Sequence, residues 1–204
     1  MIVLSDNDIL LKLAHCDMFD EFLAYMQVPP KSIAILHTCI FKMRKLLKNE
    51  PTVLARLEGF CALVSVIADD QIDTDTLEAI MHTGADAGEA ILAAKVATTQ
   101  DAFLVTGDKR AVKALSTLAD GPVKCALAGR VLCFEELILG MMQRFSFATL
   151  SPKLIAGSSC DGVLRNAFGL GRTEAHAQSC LLSYANELRD TCAELLVPRS
   201  LAMS

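Results

Sequence analysis

The sequence predicts an α/β protein in which a parallel sheet lies between two layers of helices, with a helical extension at the C-terminus. Hydrophobic residues make up 52% of the 204 residues and charged residues 21%, which excludes a disordered or low-complexity chain. Short apolar runs alternate with helical patterns over residues 1–147, an order typical of parallel sheets whose strands are joined by helices. We therefore predict one domain over residues 1–147, followed by a linker and helical appendage over residues 148–204.

Elements in the first part of that domain are predicted from short β-branched runs and from apolar residues at helical spacing. The apolar run at 2–4 predicts a strand that stops at polar residues, and a helical pattern follows as far as residue 23. Prolines at 29 and 30 end this helical pattern. Residues 32–36 fit either a strand or the start of a helix. The next predicted elements are a basic helix over 37–48, a helix over 52–60, a strand over 62–67, an acidic turn over 69–73 and a helix over 74–82.

Glycine and proline mark the turns in the rest of the chain. A helix is predicted from about 84 to 99, then a strand over 101–106 and a helix over 109–118. After a turn at 121–122, the pattern predicts a strand over 131–134, a helix over 135–144, a loop over 145–172 and a long helix over 173–196.

Cysteine usage and the chain's N-terminal residues indicate a reduced, cytoplasmic protein. None of the eight cysteines belongs to a CxxC pair, and most lie in apolar runs, where a free thiol behaves as a small hydrophobic group. The N-terminal residues lack a basic stretch and a cleavage signal. We expect no membrane association, because no apolar run has the length of a membrane span. The formal net charge of -5 argues against a protein that coats nucleic acid.

Three acidic groups lie at the ends or starts of the predicted elements. Asp6 and Asp8 follow the first strand, Asp86 and Glu89 open a helix, and Asp108 follows the strand over 101–106. Because the carboxyl ends of parallel strands meet at one edge, we expect these side chains to converge. Clustered carboxylates repel one another, and a hard cation such as Mg2+ or Mn2+ relieves that repulsion. Such a site can activate water and stabilise phosphoryl displacement.

Each acidic group also has a purely structural interpretation. Asp86 and Glu89 have the spacing of a helix N-terminal capping box. Asp6 and Asp8 fit a helix cap or a solvated turn, and Asp108 fits an ordinary turn after a strand. These interpretations remain open at this point, although the placement of all three groups together favours a site.

Four segments resemble the PIN-domain nucleases. They are the first strand and helix start over 2–11, the helix opening at 88–90, the strand, turn and helix start over 104–110, and the closing strand and helix over 129–137. The resemblance covers residues 1–145 and rests on the order and spacing of these segments. It implies a parallel sheet with an acidic pocket and cleavage of RNA, often single-stranded, with Mg2+ or Mn2+.

The resemblance also implies roles for particular residues. Asp6 matches the metal ligand of the first strand, Glu89 the acid of the later helix, and Asp108 the acid that follows the fourth strand. Asp8 and Asp86 stand close enough in the sequence to assist as metal ligands. The catalytic set is therefore expected to be Asp6, Glu89 and Asp108.

Contacts to nucleic acid are expected beside the last of these acids. Thr106 matches the small hydroxyl residue that often accompanies it, while Lys109 and Arg110 begin the next helix where an RNA backbone would lie. The basic residues of 42–48 are further candidates, with a solvated helix face as the alternative. No aromatic motif for RNA recognition interleaves with them, and the phenylalanines are expected to lie in the core.

The sequence departs from the family in one respect. PIN domains have a further acid in the helix after the second strand, but no Asp or Glu occurs between Glu21 and Glu50. His37 or Thr38 stands at about that place. The alternative function is therefore a catalytically degenerate PIN-like module that binds nucleic acid or a protein partner.

A haloacid-dehalogenase-like phosphatase is a weaker alternative. Asp6 and Asp8 resemble the paired aspartates of that family, and Thr106-Gly107 resembles its second motif. That chemistry also needs an acidic pair late in the chain, and residues 120–204 contain no Asp-Asp pair.

The long C-terminal helix has three possible roles. Its apolar stripe is suited to packing on its own domain, to forming a homodimer or to binding a protein partner such as an antitoxin. The sequence leaves these three roles open.

Overall fold

A computed structural model of the protein describes residues 2–67 and 72–199. The predicted acidic turn at 69–73 lies mostly outside these residues. Among the described residues, five strands form one parallel sheet in the order β3-β2-β1-β4-β5. This confirms the α/β class and the parallel sheet. The strands are β1 (Ile2–Ser5), β2 (Ile33–Leu36), β3 (Ser65–Ile67), β4 (Ala102–Thr106) and β5 (Val131–Cys133).

Helices connect the strands and follow the last one. Short 3-10 turns also occur at Pro30–Ser32 and Ser158–Cys160. The helices are α1 (Asn7–Cys16), α2 (Phe19–Met26), α3 (Cys39–Leu46), α4 (Pro51–Cys61), α5 (Thr74–Met81), α6 (Ala87–Thr98), α7 (Lys109–Ser116), α8 (Pro122–Leu127), α9 (Phe134–Phe145), α10 (Phe147–Gly157), α11 (Gly162–Phe168) and α12 (Glu174–Cys192).

Hydrophobic side chains pack on both faces of the sheet. Ile33 and Ile35 join a cluster with helices α1, α2, α4 and α9–α11, whereas Ala34 and Leu36 join a cluster with α5–α8. Successive side chains of a strand point to opposite faces, so the two clusters lie on opposite sides of β2. The first half of α12 packs in the cluster that contains Ile33 and Ile35, and its second half packs in the cluster that contains Ala34 and Leu36.

The segment after α9 differs from the prediction, and the loop expected over 145–172 is wrong. Helices α10 and α11 occupy most of it, and Pro152 lies inside α10. Local signals favoured a loop, but burial of apolar side chains against α1 and α9 stabilises helices here. The long helix ends at Cys192, and Leu196 then forms an isolated parallel bridge with Val131. The buried side chains of α10 and α11 include Leu150, Leu154, Leu164, Ala167 and Phe168.

The strand order creates a crevice at the carboxyl end of β1. Strands β2 and β3 lie on one side of β1, and strands β4 and β5, which come later in the chain, lie on its other side. Ligands of open parallel sheets bind at such a switch point, outside the carboxyl ends of the strands. In the described part of the chain, no helix combines the length and apolar character needed to cross a membrane.

Candidate acidic site

A small cavity of about 150 Å³ opens at this crevice. All five acids predicted from the sequence line it, although they come from three separate parts of the chain. The cavity is therefore the place where the expected convergence occurs. Its lining residues are Asp6, Asn7, Asp8, Leu36, Lys42, Asp86, Gly88, Glu89, Leu92 and Asp108.

Asp6 is the most buried acid of the cavity, at 7% exposure. It caps α1, with Oδ1 accepting from the Ile9 amide at 2.8 Å. Its Oδ2 accepts from the Thr106 hydroxyl and from the Gly107 amide at 3.1 Å. Burial raises the pKa of Asp6 to about 6, against the lowering effect of these hydrogen bonds, and Asp8 adds a smaller raising effect. Thr106 is itself buried and turned towards Asp6.

Asp86 and Glu89 form the capping box that their spacing allows. The Glu89 amide donates to Asp86 Oδ1 at 2.8 Å, and the Asp86 amide donates to Glu89 Oε2 at 2.9 Å. Burial raises the pKa of Glu89, and the charges of Asp86 and Asp108 add to the rise. The capping interpretation is confirmed. The cap leaves Glu89 at the cavity wall, and its role as a metal ligand stays a prediction.

Asp108 caps α7 and is paired with Arg110. Its Oδ1 accepts from the Arg110 amide at 2.7 Å, and its Oδ2 lies 3.2 Å from Arg110 Nη2. Burial raises the pKa of Asp108, but the hydrogen bonds and charge of Arg110 outweigh burial, and the pKa falls below 3.8. Arg110 itself is highly exposed, so this pair can open to solvent at little cost.

Asp8 has an ion-pair partner that the sequence analysis missed. Lys12 Nζ lies 2.6 Å from Asp8 Oδ2 and 3.0 Å from Asp161 Oδ2, and 4.6 Å from the centre of the Phe134 ring. The lysine is almost fully buried. Gly107 permits this arrangement, because a Cβ there would lie 1.9 Å from Asp8 Oδ2. The spacing of Asp8 and Lys12 by four residues was a usable signal, whereas Asp161 is too distant in sequence to have one.

Lys42 is a second cation of the site and belongs to α3. It lines the cavity from the helix after β2, in which the resemblance to PIN domains leads one to expect a further acid. His37 and Thr38 precede that helix.

Lys12 is shared between Asp8 and Asp161. When these two and the other four acids of the cavity are all ionised, six carboxylates face the three cations Lys12, Lys42 and Arg110, and three negative charges remain uncompensated.

Lys109, predicted to contact nucleic acid, faces the C-terminal helix. Its ammonium lies 3.2 Å from Glu135 Oε1 and 4.3 Å from the centre of the Tyr184 ring. It is 4.0 Å from Glu187 Oε2. This residue therefore connects α7 to α9 and α12, and its role in nucleic-acid binding stays a prediction, as do those of Thr106 and Arg110.

The donor chemistry of the cavity matches a hard divalent cation, because carboxylate oxygens are the ligands that Mg2+ and Mn2+ prefer. The geometry matches less well. Among the described residues, no three Asp, Glu, His or Cys side chains are grouped so that they could hold a metal ion. Binding one would require side chains to move, and the exposed Arg110 on Asp108 is the readiest to release its partner.

Comparisons of the chain with protein-family models, with curated proteins and with solved structures found no match.

Proposed function

We propose that the chain is a PIN-like nuclease with a three-layer α/β/α domain, which hydrolyses phosphodiester bonds of RNA in the cytoplasm with Mg2+ or Mn2+. One observation supports the site above all others: five carboxylates from separate segments line a single cavity at the switch point of a parallel sheet. Helices on both faces of the sheet agree with the proposed architecture.

Asp6, Glu89 and Asp108 are the proposed ligands, with Asp8 and Asp86 assisting. A bound divalent ion would supply an activated water and neutralise charge at the phosphate. Asp6 is held in place by its three hydrogen bonds, so its carboxylate is oriented before any ligand arrives. Asp108 would hold such an ion only after releasing Arg110, whose guanidinium would then be available to a substrate phosphate.

A catalytically degenerate PIN-like module is the second candidate. Lys42 in the cavity favours it, because the ammonium stands in the helix where an acid would complete the family's metal site. The ion pairs of Asp8 with Lys12 and of Asp108 with Arg110 favour it too. In this case the same surface binds nucleic acid or a protein without cutting.

Cleavage of end-labelled single-stranded RNA with Mn2+ or Mg2+ distinguishes the two candidates. We expect wild-type protein to cleave, chelation of the metal to stop cleavage, and Asp6→Asn to slow it about 100-fold, since an oriented ligand is lost. Asp120→Asn is the matched control, because Asp120 is 97% exposed on the loop between α7 and α8. Its rate should equal that of the wild type.

Cleavage that persists in Asp6→Asn would indicate a contaminating nuclease and contradict the proposal. RNA that binds but stays intact with either metal would favour the degenerate module.

A further inference from the structure

Helix α3 presents a basic surface beside the acidic cavity. Lys42, Lys45 and Lys48 are all exposed along it and just beyond its end. No acidic residue occurs from residue 22 to residue 49, and Arg44 is paired with Glu58 at 2.6 Å. The surface therefore has a local positive charge on a chain whose net charge is negative.

Phe41 lies on this surface and is the exception among the phenylalanines. It is 66% exposed, whereas the other eight phenylalanines are buried or partly buried. The expectation that the phenylalanines all lie in the core is therefore wrong for Phe41. Exposing an aromatic ring beside lysines costs hydrophobic free energy, and a stacking partner would recover it.

Helical spacing makes Phe41, Lys45 and Lys42 successive neighbours on the surface of α3. Phe41 and Lys45 are four residues apart, and Lys45 and Lys42 are three apart, so each pair shares one helix face. Lys42 also lines the acidic cavity. A ring, a neighbouring ammonium and a second ammonium at the cavity mouth thus succeed one another across a short stretch of surface.

We infer that α3 binds single-stranded RNA, with a base stacked on Phe41 and the adjoining phosphates held by Lys45 and Lys42, so that the strand is led to the acidic cavity. Proteins that bind single strands combine a positive surface with aromatic rings, and each stacked base contributes strongly. A duplex hides its base faces from such a ring. Lysine is depleted at protein–protein interfaces, so the three lysines favour nucleic acid over a protein as the occupant. The choice of RNA, and its direction into the cavity, rest on the proposed function.

The test is the fluorescence anisotropy of labelled single-stranded RNA in the presence of a chelator, so that binding is measured without cleavage. We expect Phe41→Ala to weaken binding about tenfold and Phe41→Tyr to restore it, because stacking needs only an aromatic face. Lys45→Ala should make the slope of log K against log salt less negative by about 0.7, because one phosphate contact is lost. Leu170→Ala and Lys31→Ala are the matched controls, since both residues are exposed and lie outside α3.

Several results would overturn the inference: no RNA binding by the wild type, unchanged affinity in Phe41→Ala, or equal affinity for duplex RNA. Unchanged affinity of Phe41→Ala for RNA would favour a protein as the partner that binds this surface. Tighter binding of single-stranded DNA would contradict the assignment to RNA. Binding that depends on Phe41 without any cleavage would support the inference while the proposed hydrolysis fails.

Discussion

Replacing Arg189 by methionine is expected to lower the free energy of unfolding by about 4 kcal/mol. Arg189 holds the fully buried Glu136 through two contacts, Nε to Oε1 at 2.5 Å and Nη2 to Oε2 at 2.8 Å. The same Nη2 donates to the Val197 carbonyl at 2.6 Å. Without Arg189, the ion pair that remains to the Glu136 carboxylate among the described residues is the one with Arg199, at 3.2 Å. The loss measured by urea unfolding would show that this buried pair fixes α12 and the last described residues to α9.

A double variant separates the buried charge from the loss of packing. Arg189→Met combined with Glu136→Gln leaves a neutral amide in place of an isolated carboxylate, and should recover a large part of the lost stability. Arg165→Met is the control, because Arg165 is exposed on α11 and should cost less than about 0.5 kcal/mol. Equal stability of Arg189→Met and the wild type would contradict the account of this contact.

Lys12→Met is expected to destabilise the protein by about 3 kcal/mol. Burial lowers the pKa of Lys12, but Asp8 and Asp161 outweigh it and raise the pKa to about 12 from 10.5. A raised lysine pKa gives stability that is complete below 10.5 and is lost as the pH rises through 12, so at neutral pH it amounts to about 2 kcal/mol. Removing the ammonium also leaves two carboxylates facing each other.

Chemical denaturation of two further variants checks this explanation. Asp161→Asn in the Lys12→Met background removes one of the facing charges and should restore part of the stability. Lys31→Met, at an exposed lysine, should leave stability unchanged. If the double variant were less stable than Lys12→Met alone, repulsion between Asp8 and Asp161 would not be the cause.

Much of the sheet and of the acidic cavity could be predicted because the signals are local. A β-branched run followed by polar residues marks β1, and a similar run ending at Thr106 marks β4. Parallel pairing then places Asp6 and Asp108 at one edge without further information. The capping box of Asp86 and Glu89 was likewise visible in the spacing.

The rest depended on contacts between distant parts of the chain. Asp161 reaches Lys12 only because α10 and α11 fold back on α1, and local signals predicted a loop there. The short helix α8 was not predicted, because Gly121-Pro122 at its start is typical of a turn. Helical spacing could not tell that Phe41 is exposed while Met43 is buried, since this depends on which face of α3 meets the sheet.

The most direct test of the central claim, that the acidic cavity binds a divalent cation, is calorimetric titration of the protein with Mn2+. We expect one site in the wild type, at least tenfold weaker binding (about 1.4 kcal/mol or more) in Asp6→Asn and Asp108→Asn, and unchanged binding in Asp120→Asn. Affinity should also fall about tenfold from about pH 7.5 to about pH 5, because Asp6, with a pKa of about 6, takes up a proton that competes with the metal. Absence of binding, or equal affinity in Asp6→Asn and Asp108→Asn, would contradict the claim.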